Sequence, residues 1–201
     1  MHRRNILLGA GALTVGLVPA FAPAFAQASN AAEGFVRDNI QAGFDILNDK
    51  GTSVSQRREK FASFLMGLTD VKRVALFLLG PYAAKASPAD LDDYVAAYQD
   101  YVLNIYQTYF QLYAGQTLHV VSSRERAPGD AIVVTNMAGP SSGAMEIDFR
   151  VRTDGAKPLL LDVGVAGVWL ALAQRDQIQS VLAQNNGDIK ALIAHLRGSS
   201  R

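Results

Sequence analysis

The chain has 201 residues, of which 49% are hydrophobic and 18% are charged, a balance typical of a globular domain with an apolar core. It contains no Cys, which excludes disulfides, thiolate zinc sites and cysteine nucleophiles. The formal net charge is +1, and it becomes −1 without Arg3 and Arg4, because 17 basic residues then face 18 acidic ones. A near-neutral chain creates no strong positive field, so we expect no nucleic acid among its partners.

Residues 1–26 have the composition of a cleaved signal peptide. A basic start at His2-Arg3-Arg4 precedes an apolar run from Ile6 to Val18, and Ala24-Phe25-Ala26 supplies the small residues of a cleavage site. Arg3-Arg4-Asn5-Ile6-Leu7 is similar to the twin-arginine export motif, although a general secretory signal also fits. The apolar run is too short and too rich in Gly to cross ~30 Å of hydrocarbon. We therefore expect residues 27–201 to form one exported, soluble domain.

Three helices are predicted at the start of this domain. Ala31–Asn48 is the first and Gly51 follows its end. The second begins at Ser53 or Ser55, and its apolar residues recur at three- and four-residue spacing. They are Phe61, Phe64, Leu65 and Leu68. Asp70 is expected to cap a short, mostly apolar third helix that ends at Gly80-Pro81.

A fourth, longer helix has the clearest boundaries. Ser87-Pro88 predicts its start, because Ser is a good N-cap and Pro is favoured at the first helical position. The helix runs to about Tyr113, before Gly115, and its apolar residues cover about half of the circumference. Six of the seven tyrosines in the chain lie on it.

Four strands and two closing helices follow. The strands are Thr117–Ser123, Ala131–Met137, Met145–Arg152 and Pro158–Val165, and the helices are Trp169–Asn185 and Asp188–Arg197. In the third strand, apolar and charged residues alternate, which indicates one buried and one wet face. The predicted fold class is therefore α+β, with an antiparallel sheet of four or slightly more strands covered on one apolar face by helices.

Few residues suggest catalysis or metal binding. Outside the predicted signal peptide the only histidines are His119 and His195, and neither has the spacing of metal ligands. Asp162 is the one acid in an apolar strand. A buried, paired acid is one interpretation, and a salt bridge on the sheet face is the favoured one. Phosphate-binding glycine loops, nucleophile elbows and dinucleotide fingerprints are absent from the sequence. We expect no catalytic residue, no metal and no cofactor.

The tyrosine-rich helix is wider on its apolar side than packing against one sheet face requires. Tyrosine has an apolar body and a polar tip, which suits the lining of a cavity with a wet mouth. Ordinary core packing explains the same pattern, and composition does not decide between the two.

The order of several motifs resembles the MlaC family of periplasmic phospholipid-binding proteins, also called toluene-tolerance proteins. The similar segments are Phe61-Ala-Ser-Phe64-Leu65, Asp70-Val71, Leu78-Leu79-Gly80, Ala86-Ser87-Pro88 with the tyrosines after it, Leu161–Val168, Arg175–Ile178 and Gly187–Leu196. They extend over nearly all of the domain. The chain differs from the family pattern at Trp169, where serine is usual, at Ile178, where an aromatic residue is usual, and at Pro81.

The resemblance implies a periplasmic carrier that holds phospholipid acyl chains in an apolar cavity between helices and sheet. It also implies two partners, an inner-membrane ABC-transporter lipid complex and an outer-membrane lipoprotein complex. A hopanoid-binding protein of the same superfamily, a small periplasmic enzyme and a protein-interaction module remain as alternatives. The amphipathic faces and the resemblance together predict a lipid-binding set of Phe64, Leu65, Val74, Phe77, Leu78, Tyr98, Tyr101, Val102, Ile105, Met145, Ile147, Phe149, Leu161 and Val163.

Overall fold

The computed structural model describes residues 24–139 and 142–199. The helices are α1 (Ala24–Asn48), α2 (Val54–Gly67), α3 (Val71–Leu79), α4 (Pro88–Leu112), α5 (Leu170–Gln184) and α6 (Ile189–Ser199), with a 3₁₀ helix at Gly80–Lys85. The strands are β1 (Thr117–Ala127), β2 (Asp130–Gly139), β3 (Ser142–Arg152), β4 (Leu159–Val165) and β5 (Val168–Trp169). They form one antiparallel sheet in the order β1-β2-β3-β4-β5, which confirms the predicted α+β class.

The predicted signal peptide lies largely outside the described residues, which begin within it at Ala24. Its cleavage and export route therefore stay predictions. Among residues 24–139 and 142–199, no helix is both long enough and apolar enough to span a bilayer.

Three predicted helix starts are confirmed by their capping hydrogen bonds, whereas α1 begins at Ala24 and not at the predicted Ala31. Ser53 and Gln56 form a reciprocal capping box at α2, in which each side chain accepts from the other residue's backbone N–H. The Asp70 side chain accepts from the Arg73 backbone N–H at α3, and the Ser87 side chain accepts from the Asp90 N–H at α4. These local bonds fix where three helices begin, as the sequence predicted.

The end of the sheet differs from the prediction. Val168-Trp169 pairs with Gly164-Val165 as the short strand β5, so the closing helix begins at Leu170 rather than at Trp169. Ala166 and Gly167 form the two-residue turn between β4 and β5, with φ values of 49° and 82°. Positive φ at both positions is what a type I′ hairpin turn requires.

One face of the sheet is apolar and is covered by α1. Met145, Ile147, Phe149 and Val151 alternate on this face of β3 and are paired with Met137, Thr135, Val133 and Ala131 of β2. Ala32 and Val36 of α1 pack against Ala131, Val133 and Val151 to form a buried helix–sheet cluster. Thr135, the buried polar residue of this face, donates a hydrogen bond to the Ile147 carbonyl oxygen at 2.8 Å.

A second buried cluster, the helical cluster, lies among α3, α4, α5 and α6. Its large fully buried members include Tyr94, Leu78, Leu182 and Leu192. The Tyr94 hydroxyl donates to the Ala75 carbonyl oxygen at 3.1 Å, which satisfies the one polar group of this buried ring. Much of the tyrosine-rich helix face is thus packed interior.

The opposite, charged face of the sheet is less wet than predicted. Arg150 binds both oxygens of Asp130, at 2.9 and 2.6 Å, and both side chains are partly buried. Trp169 also lies on this face, because a Cβ atom on Gly164 would be 3.2 Å from Asp148 Cβ and 3.4 Å from the Trp169 ring. Trp169 therefore does not project onto the apolar face.

Candidate functional site

The helix–sheet cluster and the helical cluster have no residue in common, and partly buried apolar side chains pack against each of them. Helix α2 has a full apolar stripe, yet its one buried residue is Ala62. In β4, Leu159, Leu160, Leu161, Val163 and Val165 are all only half-buried. The two elements are joined directly, since Leu160 N–H donates to the Leu68 carbonyl oxygen at 2.8 Å. Apolar surface on both sides of this junction is left without complete packing.

The structure divides the predicted lipid-binding residues into two groups. Leu78, Tyr98 and Val102 belong to the packed helical cluster and are 0%, 3% and 6% exposed, with Val74 and Tyr101 packed against it. These five residues therefore contribute to the packing of the helical cluster, three of them as buried members and two as partly buried neighbours.

The remaining predicted residues are half-buried or exposed, except Ile147, which is almost completely buried. Ile147 is 9% exposed, and Phe77 is 43% exposed with the Arg175 guanidinium over its ring at 4.7 Å. The half-buried members are Phe64, Leu65, Ile105, Met145, Phe149, Leu161 and Val163. On the sheet, Met145, Ile147 and Phe149 share one face, and Val163 is paired directly with Phe149. Leu161 lies at a register shift between β3 and β4, which displaces it from the regular alternation.

A group of half-buried aromatic rings connects α1, α2 and α4, and the sequence prediction included only one of them. Phe44 and Tyr113 have ring centroids 6.0 Å apart, and Phe61 and Phe110 are 6.2 Å apart. Phe61 and Phe64 both lie against Gly43 of α1, where a Cβ atom would contact Phe64 at 3.4 Å. Phe61 shares the α2 stripe with Phe64, so that periodicity could have identified it.

The model of the protein family described as "MlaC protein" matches residues 37–198 of the chain. The chain belongs to the MlaC family. This match extends from the middle of α1 almost to the end of α6, so it includes the whole helical cluster and the strand residues of the helix–sheet cluster, whose α1 members Ala32 and Val36 precede it.

The MlaC-type chain is also similar to a solved structure, a phospholipid-binding protein from Ralstonia solanacearum in complex with a phospholipid. The two chains are 17% identical, with a TM-score of 0.68, and the match covers 86% of this chain and 96% of the other. At this identity the likeness shows a common fold. No curated protein matches the chain significantly.

In this MlaC-family chain, the acidic residue that the sequence analysis singled out in strand β4, Asp162, forms hydrogen bonds that stabilise the fold. Asp162 Oδ1 accepts the backbone N–H groups of Val163 and Ala171 at 2.8 and 2.9 Å, which fixes the start of α5. The predicted salt bridge is thus wrong, because the cross-strand partner Arg150 binds Asp130 instead. Burial raises the pKa of Asp162 above its ordinary value.

The two histidines carry no site in the described part of the chain. His119 and His195 are both exposed. Within residues 24–139 and 142–199, no group of three His, Asp or Glu side chains is arranged to hold a metal ion. The accessible apolar surface remains the most distinctive feature of the structure.

Proposed function

We propose that this protein is a periplasmic phospholipid carrier that holds lipid acyl chains between α2 and α4 on one side and β3 and β4 on the other. The observation that carries the proposal is the incomplete burial of two apolar elements, the α2 stripe and strand β4, which are linked where Leu160 N–H donates to the Leu68 carbonyl oxygen. In a completely packed core, apolar side chains of this kind would be buried, as they are in the helical cluster. Membership of the MlaC family and the phospholipid bound to the similar Ralstonia protein support the same ligand class.

The proposed lining keeps the seven half-buried residues of the predicted set that lie outside the helical cluster and adds two aromatic ones. It consists of Phe61, Phe64, Leu65, Ile105, Phe110, Met145, Phe149, Leu161 and Val163. Each buried methylene of an acyl chain contributes about 0.8 kcal/mol, so a long chain needs only this kind of surface to leave water. A carrier works best when it binds lipid about as strongly as a bilayer does, because loading and unloading must both occur.

The carrier proposal includes a location and two partners. The composition of residues 1–26 supports export to the periplasm. There the protein would take lipid from, and deliver it to, an inner-membrane ABC-transporter complex and an outer-membrane lipoprotein complex. Diffusion between them requires no catalytic residue, and the proposal therefore assigns no enzymatic activity. A hopanoid is the second candidate ligand, since the lining set is equally suited to a polycyclic hydrocarbon.

The structure favours the carrier over the other two classes. For the enzyme, the acid that the sequence analysis singled out is Asp162, and its Oδ1 accepts two backbone N–H groups that hold the start of α5. An interaction module would expose the tyrosine face, but Tyr94 and Tyr98 are 0% and 3% exposed. The apolar surface that stays accessible lies beside the buried clusters and not on the tyrosine face.

The test is lipid occupancy of the mature protein purified from bacterial periplasm, measured by native mass spectrometry and lipid extraction. We expect one co-purified phospholipid per chain. Ile105→Trp should lower the occupancy severalfold, because a larger ring would fill the space next to the half-buried Ile105. Gln111→Trp is the matched control, since it adds the same ring at an exposed position of α4. A wild-type protein that is empty and takes no lipid from vesicles would refute the carrier proposal.

A further inference from the structure

The apolar stripe of α2, which includes Phe61 and Phe64, is continued toward the N-terminus of the helix by a charged residue, Arg57. Arg57 is four residues before Phe61 and seven before Phe64, so it lies on the same face of the helix as the proposed lining. Its side chain is half-buried rather than extended into water. The apolar lining is therefore followed directly by a guanidinium at the N-terminal end of α2.

The hydrogen bonds of this guanidinium are incomplete. Arg57 Nη1 donates to the carbonyl oxygen of Asp49, just after the end of α1, at 2.7 Å. Arg57 Nε is buried and has no hydrogen-bond partner in the structure. A buried donor that is left unpaired is destabilising, and a native site normally pairs it with protein, water or ligand.

The carboxylate of Asp49, the residue whose backbone carbonyl accepts from Arg57, is occupied by other groups. Asp49 Oδ1 accepts the Gly51 backbone N–H at 2.8 Å, Oδ2 accepts the Thr52 hydroxyl at 3.0 Å, and Lys60 Nζ lies 3.6 Å from Oδ2. In the described part of the chain no ion pair reaches Arg57. A positive charge with an unpaired N–H thus stands beside an apolar lining.

Other polar groups mark the same end of the molecule. Asn48, the last residue of α1, donates to the Tyr113 hydroxyl at 3.1 Å, and the Tyr113 ring contacts Phe44. The surface thus changes from apolar to polar where α1 ends, α2 begins and α4 ends. An amphipathic ligand held along the lining would place its polar head at this boundary.

We propose that Arg57 binds the phosphate group of the carried lipid, with Nε–H donating to a phosphate oxygen. This inference rests on the proposed carrier function and adds the residue that contacts the headgroup, a contact that a neutral lipid such as a hopanoid could not make. Guanidinium groups bind phosphate with short, charge-assisted hydrogen bonds, which suits a donor that the protein leaves free.

The test is a competition between two lipids that share their acyl chains. Delipidated protein is incubated with vesicles that contain equal amounts of phosphatidylglycerol and diacylglycerol, and the bound lipids are counted by native mass spectrometry. Wild-type protein should prefer phosphatidylglycerol, and Arg57→Gln should reduce this preference roughly ten- to hundredfold, the range for hydrogen bonds to charged groups. Arg58→Gln is the control, because it removes the same charge 100° away around the helix.

Three results separate this proposal from its alternatives. If Arg57→Gln lowers the melting temperature but keeps the lipid preference, Arg57 only caps α1 and the proposal is wrong. If Arg57→Gln does not fold, Arg57→Lys replaces it; this variant keeps the charge but lacks Nε–H, so an unchanged preference would also overturn the proposal. A wild-type protein that takes up neither lipid refutes the carrier function itself, whereas equal uptake of both refutes only the phosphate site.

Discussion

Two leucines give a matched test of the division between packed core and ligand lining. Leu78 of α3 is 0% exposed and is surrounded by other buried residues, whereas Leu65 of α2 is half-buried on the proposed lining. Both are helical, so Leu→Ala changes the intrinsic helix propensity by the same small amount at each position. The difference between the two variants therefore reports the surroundings of each side chain.

The structure predicts unequal losses of stability. Leu78→Ala leaves a closed cavity among residues that are themselves fully packed, so we expect the upper part of the Leu→Ala range, about 3–5 kcal/mol. Leu65→Ala borders accessible space and creates no new closed cavity, so it should lose only part of the transfer free energy, about 1 kcal/mol. For a protein of this length these values correspond to falls in melting temperature of roughly 6–20 °C and 2–4 °C.

Differential scanning calorimetry of delipidated protein measures both shifts, and native mass spectrometry then measures lipid occupancy. Leu65→Ala should reduce occupancy severalfold, because it removes contact with the acyl chain, while folded Leu78→Ala should keep it. Equal falls in melting temperature in the delipidated protein would show that the two positions are packed alike. That result would contradict the assignment of α2 to the lining.

Two further predictions concern stability alone. Ala166 has φ 49° in the two-residue turn, a conformation that Asn adopts more readily, so Ala166→Asn should raise the free energy of unfolding by about 0.5–1 kcal/mol. The control is Ala156→Asn, which lies at an exposed position without positive φ and should leave the free energy of unfolding unchanged. Urea titrations measure both variants, and equal effects would contradict the argument that Ala166 is strained. The hydrogen bonds from Arg150 lower the pKa of Asp130 below its unfolded value of about 3.9, so this carboxylate contributes stability above that pH and loses it as the pH falls through the lower, folded value. The stability difference between wild type and Asp130→Asn should therefore be largest above about pH 5 and shrink below pH 4, and a difference independent of pH would refute the linkage.

The boundaries of the helices and the alternation of the strands could be predicted from the sequence because both depend on local chemistry. Ser87 and Pro88 define the start of α4 without any tertiary contact. In the same way, a period of two placed Met145, Ile147 and Phe149 on one face, and the sheet register confirms this.

Strand β5 could not be predicted from local sequence patterns. Val168 and Trp169 continue into a helical pattern, and only pairing with Gly164 and Val165 makes them a strand. The same pairing places the Trp169 ring over Gly164 on the charged face, a position that depends on a glycine five residues earlier in the chain. Local periodicity therefore predicted that the closing helix begins at Trp169, whereas it begins at Leu170.

The candidate site was only partly predictable for a related reason. Hydrophobic periodicity identifies the side of a helix that avoids water but not the element that covers it. Tyr98 and Val102 are on the apolar side of α4, and they are buried because the helical cluster closes over them. Phe110 lies on the same helix yet stays half-buried against Phe61 of α2. Such differences arise from tertiary packing and carry no signal in the spacing of residues.

Strand β1 has a consequence for how the protein behaves among its own copies. It pairs with β2 alone, so eleven residues of backbone border the outside of the sheet. Two register shifts, between Val120 and Ser122 and between Glu125 and Ala127, interrupt the regular series of N–H and C=O groups on this strand. Arg124 and Arg126 are exposed there and add positive charge. A strand from another copy could not pair regularly with β1, because the register shifts displace its N–H and C=O groups. The two arginines of each copy would also repel each other. Both features therefore protect the sheet from growing into a fibre.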